Sequence, residues 1–336
     1  MFPSLSAQFL VFPLLQAFAA AKPTSGFSWN STTALLAFGD SYTYVEGTHG
    51  RVNGSFIGSE IDFAYTPEEL EGNKILVNHT SAEGANWVEF LTGCYEGSPA
   101  DCTGGGQRPL WDFAFGGADV SAEHLPLHHN DTLDLDRQVE QYITYAHPVL
   151  ELDTGNTLVA IWIGINDVND SQDLDVSFPD FYRLIISTLF ESISDLHDLG
   201  FRNFMFLSIS PLDRTPSSLE AIADGEEPSP STEQLKLWNS VLKEAGEEFG
   251  ESHPKTTVLS FDAYGALNDI IDHAEEYGIE NVSEFCEAYD APDIDTNYEE
   301  YGCLPLSKYF WYNSGHIGST AHQALAGKIT QFLGGV

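Results

Sequence analysis

A serine that follows an apolar run is the first candidate for chemistry. Ser41 follows the run Ala34–Phe38 and lies in the sequence FGDSYT. A serine at a tight turn after a strand can expose its hydroxyl as a nucleophile while its own N–H faces the same site. A plain Asp or Ser N-cap of a helix is the simpler interpretation of this segment on its own. Ser41 therefore needs support from partner residues.

Two later segments offer hydrogen-bond donors at the ends of apolar runs. Gly117 lies in FGGA after the run Trp111–Phe115, and Asn166 lies in GIND after the run Leu158–Ile163. A glycine lets the backbone approach a ligand and present its N–H, and an asparagine amide can donate to the same developing oxyanion. An ordinary turn at the glycine pair and a left-handed Asn are the alternative interpretations.

A late histidine supplies the candidate general base. His316 lies in WYNSGH, directly before the last predicted helix, and its aromatic neighbours distinguish it among eleven histidines. From there it can reach over the strand ends to a serine. The pair His128-His129 with Asp131 suggests a metal site. It lies in a polar stretch without a second cluster of ligands, so we predict a surface loop and no metal.

The elements that must position these residues alternate along the chain. Apolar runs predict strands at Ala34–Phe38, Trp111–Phe115, Leu158–Ile163, Phe204–Ile209 and Val258–Phe261. Helical spacing of apolar residues occurs over 182–196, 235–245 and 320–332. This alternation predicts an α/β fold with a central parallel sheet covered by helices on both faces. In such sheets the site lies at the carboxyl ends of the strands, where the three candidates above fall.

Two polar stretches predict loops, Pro211–Pro230 and Glu287–Glu300. Neither has the character of a linker, because the alternation of strands and helices resumes after each. We therefore predict a single domain over residues 22–336.

The first 21 residues are typical of a cleaved signal peptide. They contain no Asp, Glu, Lys or Arg, and the apolar stretch 9–15 is followed by small residues over 17–21. A buried N-terminal helix is the alternative, which Pro13 disfavours. The stretch is too short for a permanent membrane anchor. We predict a secreted, extracellular protein without a membrane partner.

Sequons and cysteines agree with that compartment. N-glycans are expected at six N-x-S/T sequons, Asn30, Asn53, Asn78, Asn130, Asn169 and Asn281. Four cysteines allow three disulfide connectivities, and the pairing Cys94–Cys102 with Cys286–Cys303 closes the shortest loops. Four free thiols are the alternative, which an oxidising compartment disfavours.

The charge balance excludes one class of partner. The chain has 13 Lys and Arg against 51 Asp and Glu, a net charge of −38. A protein that binds nucleic acid needs Lys and Arg side chains to displace counterions from the phosphates. A protein that binds an anionic membrane surface needs them as well. This chain has too few, so we predict neither partner. The hydrophobic fraction of 42% is enough for a sizeable core, so the acidity does not indicate disorder.

Taken in order, the four segments resemble the motif blocks of the SGNH (GDSL-type) hydrolases. The matching stretches are GDSY, FGGA, GIND and the late histidine, and together they span Ala34–His322. In detail, the motif sequences are most similar to those of fungal acetylesterases of carbohydrate esterase family 16. These sequences are AFGDSYT, DFAFGGAD, GINDV and YFWYNSGHIGSTAH. The resemblance implies a three-layer, flavodoxin-like α/β/α sandwich, no cofactor, and release of acetate from acetylated plant-polysaccharide fragments.

The resemblance also implies roles for individual residues. Ser41 is the nucleophile and His316 the base. The Ser41 N–H, the Gly117 N–H and the Asn166 side chain form the oxyanion hole. One position departs from the family pattern D-x-x-H-P, because Asn313 stands where the orienting Asp is usual, and Ile317 replaces the Pro.

Three arrangements around His316 are open at this stage. Asn313 or a backbone carbonyl orients the ring in a Ser–His dyad, or a carboxylate from the Cys286–Cys303 loop does so, or activity is lost and a glycan pocket is kept. The loop carboxylates are Asp290, Asp293 and Asp295. An Asp-to-Asn change in a protease triad costs about 10⁴ in turnover, largely through the wrong tautomer. We favour an active enzyme, because nucleophile, base and oxyanion donors are all present.

The prediction is thus a secreted acetylesterase acting on acetylated xylo- or manno-oligosaccharides. The alternatives are an SGNH lipase or esterase for longer acyl chains, and a catalytically impaired glycan-binding homologue. Because carboxylates repel anionic polymers, neutral xylan or mannan fragments are better candidate substrates than unesterified pectin. The acid excess also predicts stability suited to a mildly acidic medium.

Overall fold

The computed structural model describes residues 26–58, 64–82, 84–98, 101–105 and 108–336. The predicted signal peptide, residues 1–21, lies outside these ranges. Among the described helices, none is both long and apolar enough to cross a membrane.

The centre of this part of the chain is a parallel sheet of five strands. They are β1 (Ala34–Gly39), β2 (Leu110–Asp112), β3 (Thr157–Trp162), β4 (Asn203–Leu207) and β5 (Thr257–Phe261). Their order across the sheet is β2-β1-β3-β4-β5, and every neighbouring pair is parallel. β1, β3 and β4 are buried along their whole length, which is why their sequences are continuous apolar runs.

Helices cover both faces of the sheet. The α-helices of the described ranges are α1 (Pro67–Gly72), α2 (Trp87–Thr92), α3 (Leu135–Gln141), α4 (Ile165–Asp170), α5 (Phe178–Asp198), α6 (Pro216–Ala223), α7 (Thr232–Ser252), α8 (Ala263–Asp272), α9 (Ile294–Asn297) and α10 (Ser319–Gly334). α3, α5 and α7 contact one another in that order, and α2, α10 and α8 form a second contiguous row. The predicted three-layer α/β/α fold is confirmed.

Short 3-10 and π-helical segments connect these elements. The 3-10 turns are Trp29–Ser31, Leu212–Arg214, Ala274–Tyr277, Tyr298–Tyr301 and Leu306–Lys308, and the π segments are Asp101–Gly105 and Tyr142–Ala146. The predicted loop Pro211–Pro230 is partly wrong, because α6 lies within it. The stretch Glu287–Glu300 likewise contains the single-turn helix α9.

Both predicted disulfides are present. Cys94 bonds to Cys102, and Cys286 bonds to Cys303. The second disulfide closes a small satellite cluster in which Cys286, Ile294 and Tyr309 are buried, apart from the main core. The free-thiol alternative is therefore wrong for this chain.

The strand order determines where a site can form. The chain runs from β1 to β2 on one side and then returns to β3 on the other side of β1. The connections after β1 and β3 therefore diverge, and a crevice opens between them at the carboxyl ends of the strands. Ser41 follows β1, Gly117 follows β2 and Asn166 follows β3, so all three candidates lie at this crevice.

Candidate active site

The candidate nucleophile lies in a tight turn directly after β1. The Asp40 carboxylate accepts the Tyr42 N–H at 2.9 Å, and the Asp40 carbonyl accepts the N–H groups of Thr43 and Tyr44 at 3.0 Å each. Residues 40–43 form a turn and no helix begins there, so the helix N-cap interpretation of this segment is wrong. The turn leaves Ser41 partly exposed at the crevice, flanked by the buried Asp40 and Tyr42.

The candidate base comes from the far end of the chain. His316 Nε2 lies 2.8 Å from Ser41 Oγ, a hydrogen bond between residues 275 positions apart. The Tyr42 hydroxyl donates to the Gly315 carbonyl at 2.7 Å, which joins the histidine segment to the nucleophile turn. A bridge between Trp311 and Ile317 folds the histidine segment back on itself. The base is thus held on both sides.

Asn313 lies where the orienting group must be. Its Oδ1 is 3.0 Å from His316 Nδ1, and it also accepts the backbone N–H groups of Gly315 at 3.0 Å and His316 at 2.9 Å. Two backbone donors require an acceptor, so the amide oxygen and not the amide nitrogen faces the ring. His316 must then donate from Nδ1, which leaves the Nε2 lone pair for the Ser41 hydroxyl. The local backbone thereby selects the productive tautomer.

The disulfide-closed loop does not supply the orienting group. Asp290, Asp293 and Asp295 are all exposed. Asp293 accepts hydrogen bonds from Asn297 at 2.7 Å and from Tyr301 at 2.7 Å, within its own loop. Of the arrangements open from sequence, the geometry is that of a serine–histidine pair oriented by an amide.

Burial sets the charge state of the base. His316 is enclosed by the Tyr42 ring, at a centroid distance of 5.7 Å, and by the segment around Asn313. Burial lowers the pKa of His316 to about 4. Burial and then the neighbouring His316 lower the pKa of His322, on α10 behind Tyr42, to about 3. At mildly acidic pH the base is therefore neutral and able to accept a proton.

Three donors converge beside Ser41. Within the described ranges, the N–H groups of Ser41 and Gly117 make no hydrogen bond to protein. Gly117 lines the cleft and has φ +81°, a left-handed conformation that favours glycine. Asn166, in the first turn of α4 and not in a left-handed turn, donates one amide hydrogen to the Ala118 carbonyl at 2.8 Å. Its second amide hydrogen is left for a ligand.

The donors and the Ser41–His316 pair line one cleft of about 510 Å³. Its lining consists mostly of small and polar side chains and backbone, including Ser81, Thr215, Ser217 and Ser229. Apolar side chains are scattered around the wall and do not form a tunnel; they are Val52, Phe115, Ile165, Leu212 and Pro230. Such a wall suits a hydroxylated ligand.

The sequence-based interpretation missed His128 and His129 as cleft residues. Both line the cleft beside Gly117, and His128 Nδ1 pairs with Asp170 Oδ2 at 2.9 Å. Their polar surroundings gave no local signal, because the partner carboxylate lies 42 positions away. In the described part of the chain, no group of three or more His, Cys, Asp or Glu side chains has the arrangement of a metal site.

Two aromatic residues of the motif segments belong to the core and not to the cleft wall. Tyr42 and Trp311 are 1% and 0% exposed, and the Trp311 ring N–H donates to the Val282 carbonyl at 3.0 Å. Tyr44 lines the cleft although most of its surface is buried. Because they are buried, the rings of Tyr42 and Trp311 are not available to stack on a bound sugar.

Comparison with known proteins finds relatives among ester hydrolases. The family model for GDSL-like lipase/acylhydrolase matches residues 35–328. The chain is 26% identical over 306 residues to an acetylesterase of Thermothelomyces thermophilus, covering 88% of this chain and 86% of that protein. It is 27% identical over 242 residues to a GDSL esterase/lipase of Arabidopsis thaliana, covering 64% of this chain and 61% of that protein.

Among solved structures, the chain is similar to Est24, a carbohydrate acetylesterase from Sinorhizobium meliloti. The TM-score is 0.43 at 12% identity, covering 89% of this chain and 97% of the other.

Proposed function

The chain belongs to the GDSL-like lipase/acylhydrolase family and is a serine ester hydrolase, and from this premise we propose that it is a secreted carbohydrate acetylesterase. Its substrates would be acetylated xylo- or manno-oligosaccharides, and its product acetate. The observation that carries the proposal is the hydrogen-bonded chain from Ser41 Oγ through His316 to Asn313 Oδ1, with 2.8 and 3.0 Å links, facing a polar cleft.

The geometry supports a two-step mechanism. Ser41 Oγ attacks the acetyl carbonyl carbon while His316 Nε2 takes the hydroxyl proton. The oxyanion receives hydrogen bonds from the N–H groups of Ser41 and Gly117 and from the Asn166 amide. When the tetrahedral intermediate collapses, the C–O bond to the sugar breaks and His316 returns the proton to the departing sugar oxygen. Water, deprotonated by His316, then attacks the acetyl-enzyme and releases acetate and free Ser41.

The cleft wall favours a short acyl group on a polar alcohol. A long acyl chain gains affinity by burying its methylene groups, at about 0.8 kcal/mol each, and needs contiguous apolar wall for this. The apolar residues of this cleft are separated by serines, glycines and polar groups. The acetylesterase of Thermothelomyces thermophilus, as a relative, agrees with the acetyl preference.

The proposal is tested by comparing acetylated xylo-oligosaccharides with p-nitrophenyl acetate and p-nitrophenyl octanoate. We expect turnover of the acetyl esters and little of the octanoate, and a loss of at least about 10⁴ in kcat for Ser41→Ala. Ser240→Ala, an exposed serine on α7, is the matched control and should behave as the wild type.

Other outcomes of that comparison identify the alternatives. A preference for octanoate would support an enzyme for longer acyl chains. Oligosaccharide binding without turnover, unchanged in Ser41→Ala, would support a glycan-binding protein and overturn the proposed activity.

Secretion and glycosylation form the second part of the proposal. Asn30, Asn53, Asn78, Asn130 and Asn169 are exposed, whereas Asn281 is half-buried and its side chain accepts the Ser283 and Glu284 N–H groups. The two disulfides are compatible with an oxidising compartment. Intact-mass measurement on protein secreted by a eukaryotic host, before and after endoglycosidase, should show a mass loss; unchanged mass would contradict glycosylation.

A further inference from the structure

A second imidazole–carboxylate pair lies beside the candidate oxyanion hole. His128 Nδ1 is 2.9 Å from Asp170 Oδ2, and the two side chains are 38% and 25% exposed. Of the two, His128 lines the cleft. A methyl group added to Gly117 would lie 3.2 Å from His128 Cδ2 and 3.4 Å from His129 Cδ2. Both imidazoles therefore lie next to the glycine proposed as an oxyanion donor, in the wall of the same cleft.

One helix carries both the carboxylate of this pair and the oxyanion amide. Asn166 and Asp170 are four residues apart on α4, so their side chains lie on the same face one turn apart. The buried Asp167 accepts the Val120 N–H at 3.0 Å, which joins α4 to the segment that follows Gly117. Helix α4 thus fixes Asp170, the partner of His128, relative to the oxyanion amide of Asn166.

The histidine segment is itself held in place. Thr132 Oγ1 accepts the His129 N–H at 3.1 Å, and the Thr132 N–H donates to the His129 carbonyl at 3.0 Å. Asp131 forms an ion pair with Arg51 from the turn on the facing wall. A preorganised imidazole loses little freedom when it binds a ligand, so its hydrogen bond contributes to affinity.

We propose that His128, oriented by Asp170, is a substrate-binding residue that hydrogen-bonds a sugar hydroxyl next to the acetyl ester. The pair thereby distinguishes acetylated sugars from acetate esters without hydroxyl groups. Because Nδ1 is engaged by Asp170, Nε2 is the atom left for the sugar. This inference rests on the proposed acetylesterase function and adds the specificity device to it.

The test measures kcat and KM of the full chain for an acetylated xylo-oligosaccharide and for p-nitrophenyl acetate, which carries no sugar hydroxyl. In His128→Ala we expect the ratio of kcat/KM for the sugar over that for p-nitrophenyl acetate to fall about tenfold, through KM of the sugar. Asp170→Ala should give a similar fall. Asp170→Asn keeps an acceptor for Nδ1 and should retain most of the ratio.

His273→Ala is the matched control. His273 pairs with Asp269 at 3.1 Å, the same kind of pair, but on α8 outside the cleft lining. Its substitution should leave the ratio at the wild-type value. In the double variant His128→Ala/Asp170→Ala, the second change should add nothing to the first, since both remove one interaction.

Two results would overturn the inference. One is an unchanged ratio in folded His128→Ala, with folding verified by thermal unfolding. The other is an equal loss for both substrates, which would indicate a structural role. Failure of the proposed function itself is distinguishable, because the wild type would then show no turnover of the acetylated sugar.

Discussion

The residue with the largest consequence for this site is Asn313. An amide in place of a carboxylate normally risks presenting its nitrogen to the histidine and selecting the wrong tautomer. Here the N–H groups of Gly315 and His316 hold the oxygen toward the ring. The amide therefore orients the base, and it contributes no charge to the imidazolium that forms during the reaction.

The absence of a negative charge at position 313 predicts how kcat/KM depends on pH. The pKa of His316 is about 4, and the base works in its neutral form, so activity should persist down to about that pH. Asn313→Asp would place an anion on Nδ1 and stabilise the imidazolium. We expect the acid limb of kcat/KM to move up by about 1 to 3 pH units. Measurement of kcat/KM between about pH 3 and 9 checks this expectation.

Asn297→Asp is the control, because Asn297 binds Asp293 in the exposed loop away from His316. Its acid limb should match that of the wild type. If Asn313→Asp left the acid limb in place, the charge at position 313 would have no effect on the pKa of His316, and the expectation would be wrong.

Among the elements, the junction between β3 and α4 carries the strictest requirement. Gly164 caps α4 with φ +121°, and an added methyl would lie 2.4 Å from the ring of the buried Trp238. Only glycine allows the backbone to lie this close to the Trp238 ring. Helix α4 can therefore begin at Ile165 and place Asn166 in its first turn. The junction thus links packing of α7 against α4 to the placement of the oxyanion amide.

Gly164→Ala should therefore destabilise the protein. We expect a loss of about 1–3 kcal/mol from the backbone conformation alone, with the ring overlap adding to it. Gly327→Ala, within α10 and with nothing within 4 Å of the added methyl, should stabilise by about 0.5–1 kcal/mol. Denaturant unfolding of both variants measures the difference; equal stabilities would contradict the role assigned to the junction.

At the scale of the whole molecule, the acid excess extends into the interior. Burial raises the pKa of Glu89, Asp134 and Asp167 to about 7, and burial together with neighbouring carboxylates raises that of Asp119 to about 10. Burial also raises the pKa values of Asp40 and Asp112. Asp40, Asp112 and Asp167 lie at or shortly after the ends of β1, β2 and β3. Burial therefore favours the protonated form of carboxyl groups close to the site.

The sign of the resulting pH dependence follows from proton binding. Each such carboxyl binds its proton to a higher pH when folded than when unfolded, so its contribution to stability is present below about pH 4 and is lost as the pH rises through the folded-state pKa. His316 and His322 act oppositely, because their lowered pKa values reduce stability as the pH falls below about 6.5. Because more carboxyl groups than imidazoles are shifted, the carboxyl groups determine the sign of the net pH dependence of stability.

We therefore expect the melting temperature to be higher near pH 5 than near pH 8, by about 5 °C or more. Asp119→Asn removes one of the shifted groups and should narrow that difference by raising the value near pH 8. Asp175→Asn, an exposed carboxylate between α4 and α5, should not. Calorimetry at the two pH values measures the melting temperature of each variant. A higher melting temperature near pH 8 than near pH 5 in the wild type would contradict the expectation.

The amino-acid sequence by itself determined what is local. Continuous apolar runs, three of them followed by a glycine, predicted all five strands of the described sheet within a few residues. β1, β3 and β4 are buried along their whole length, and strands buried on both faces have that pattern. The short loops closed by sequence-near cysteines predicted both disulfides. The missed helix α6 had a local signal too, since Thr215 caps it and Pro216 occupies its first turn.

Only the tertiary structure decided which distant groups meet. The strand order placed Ser41, Gly117 and Asn166 at one crevice, and packing brought His128 to Asp170 across 42 positions. The orientation of the Asn313 amide depended on two backbone N–H groups whose directions exist only in the folded turn. Periodicity and turn chemistry act over a few residues, whereas such contacts depend on how whole elements cross and pack.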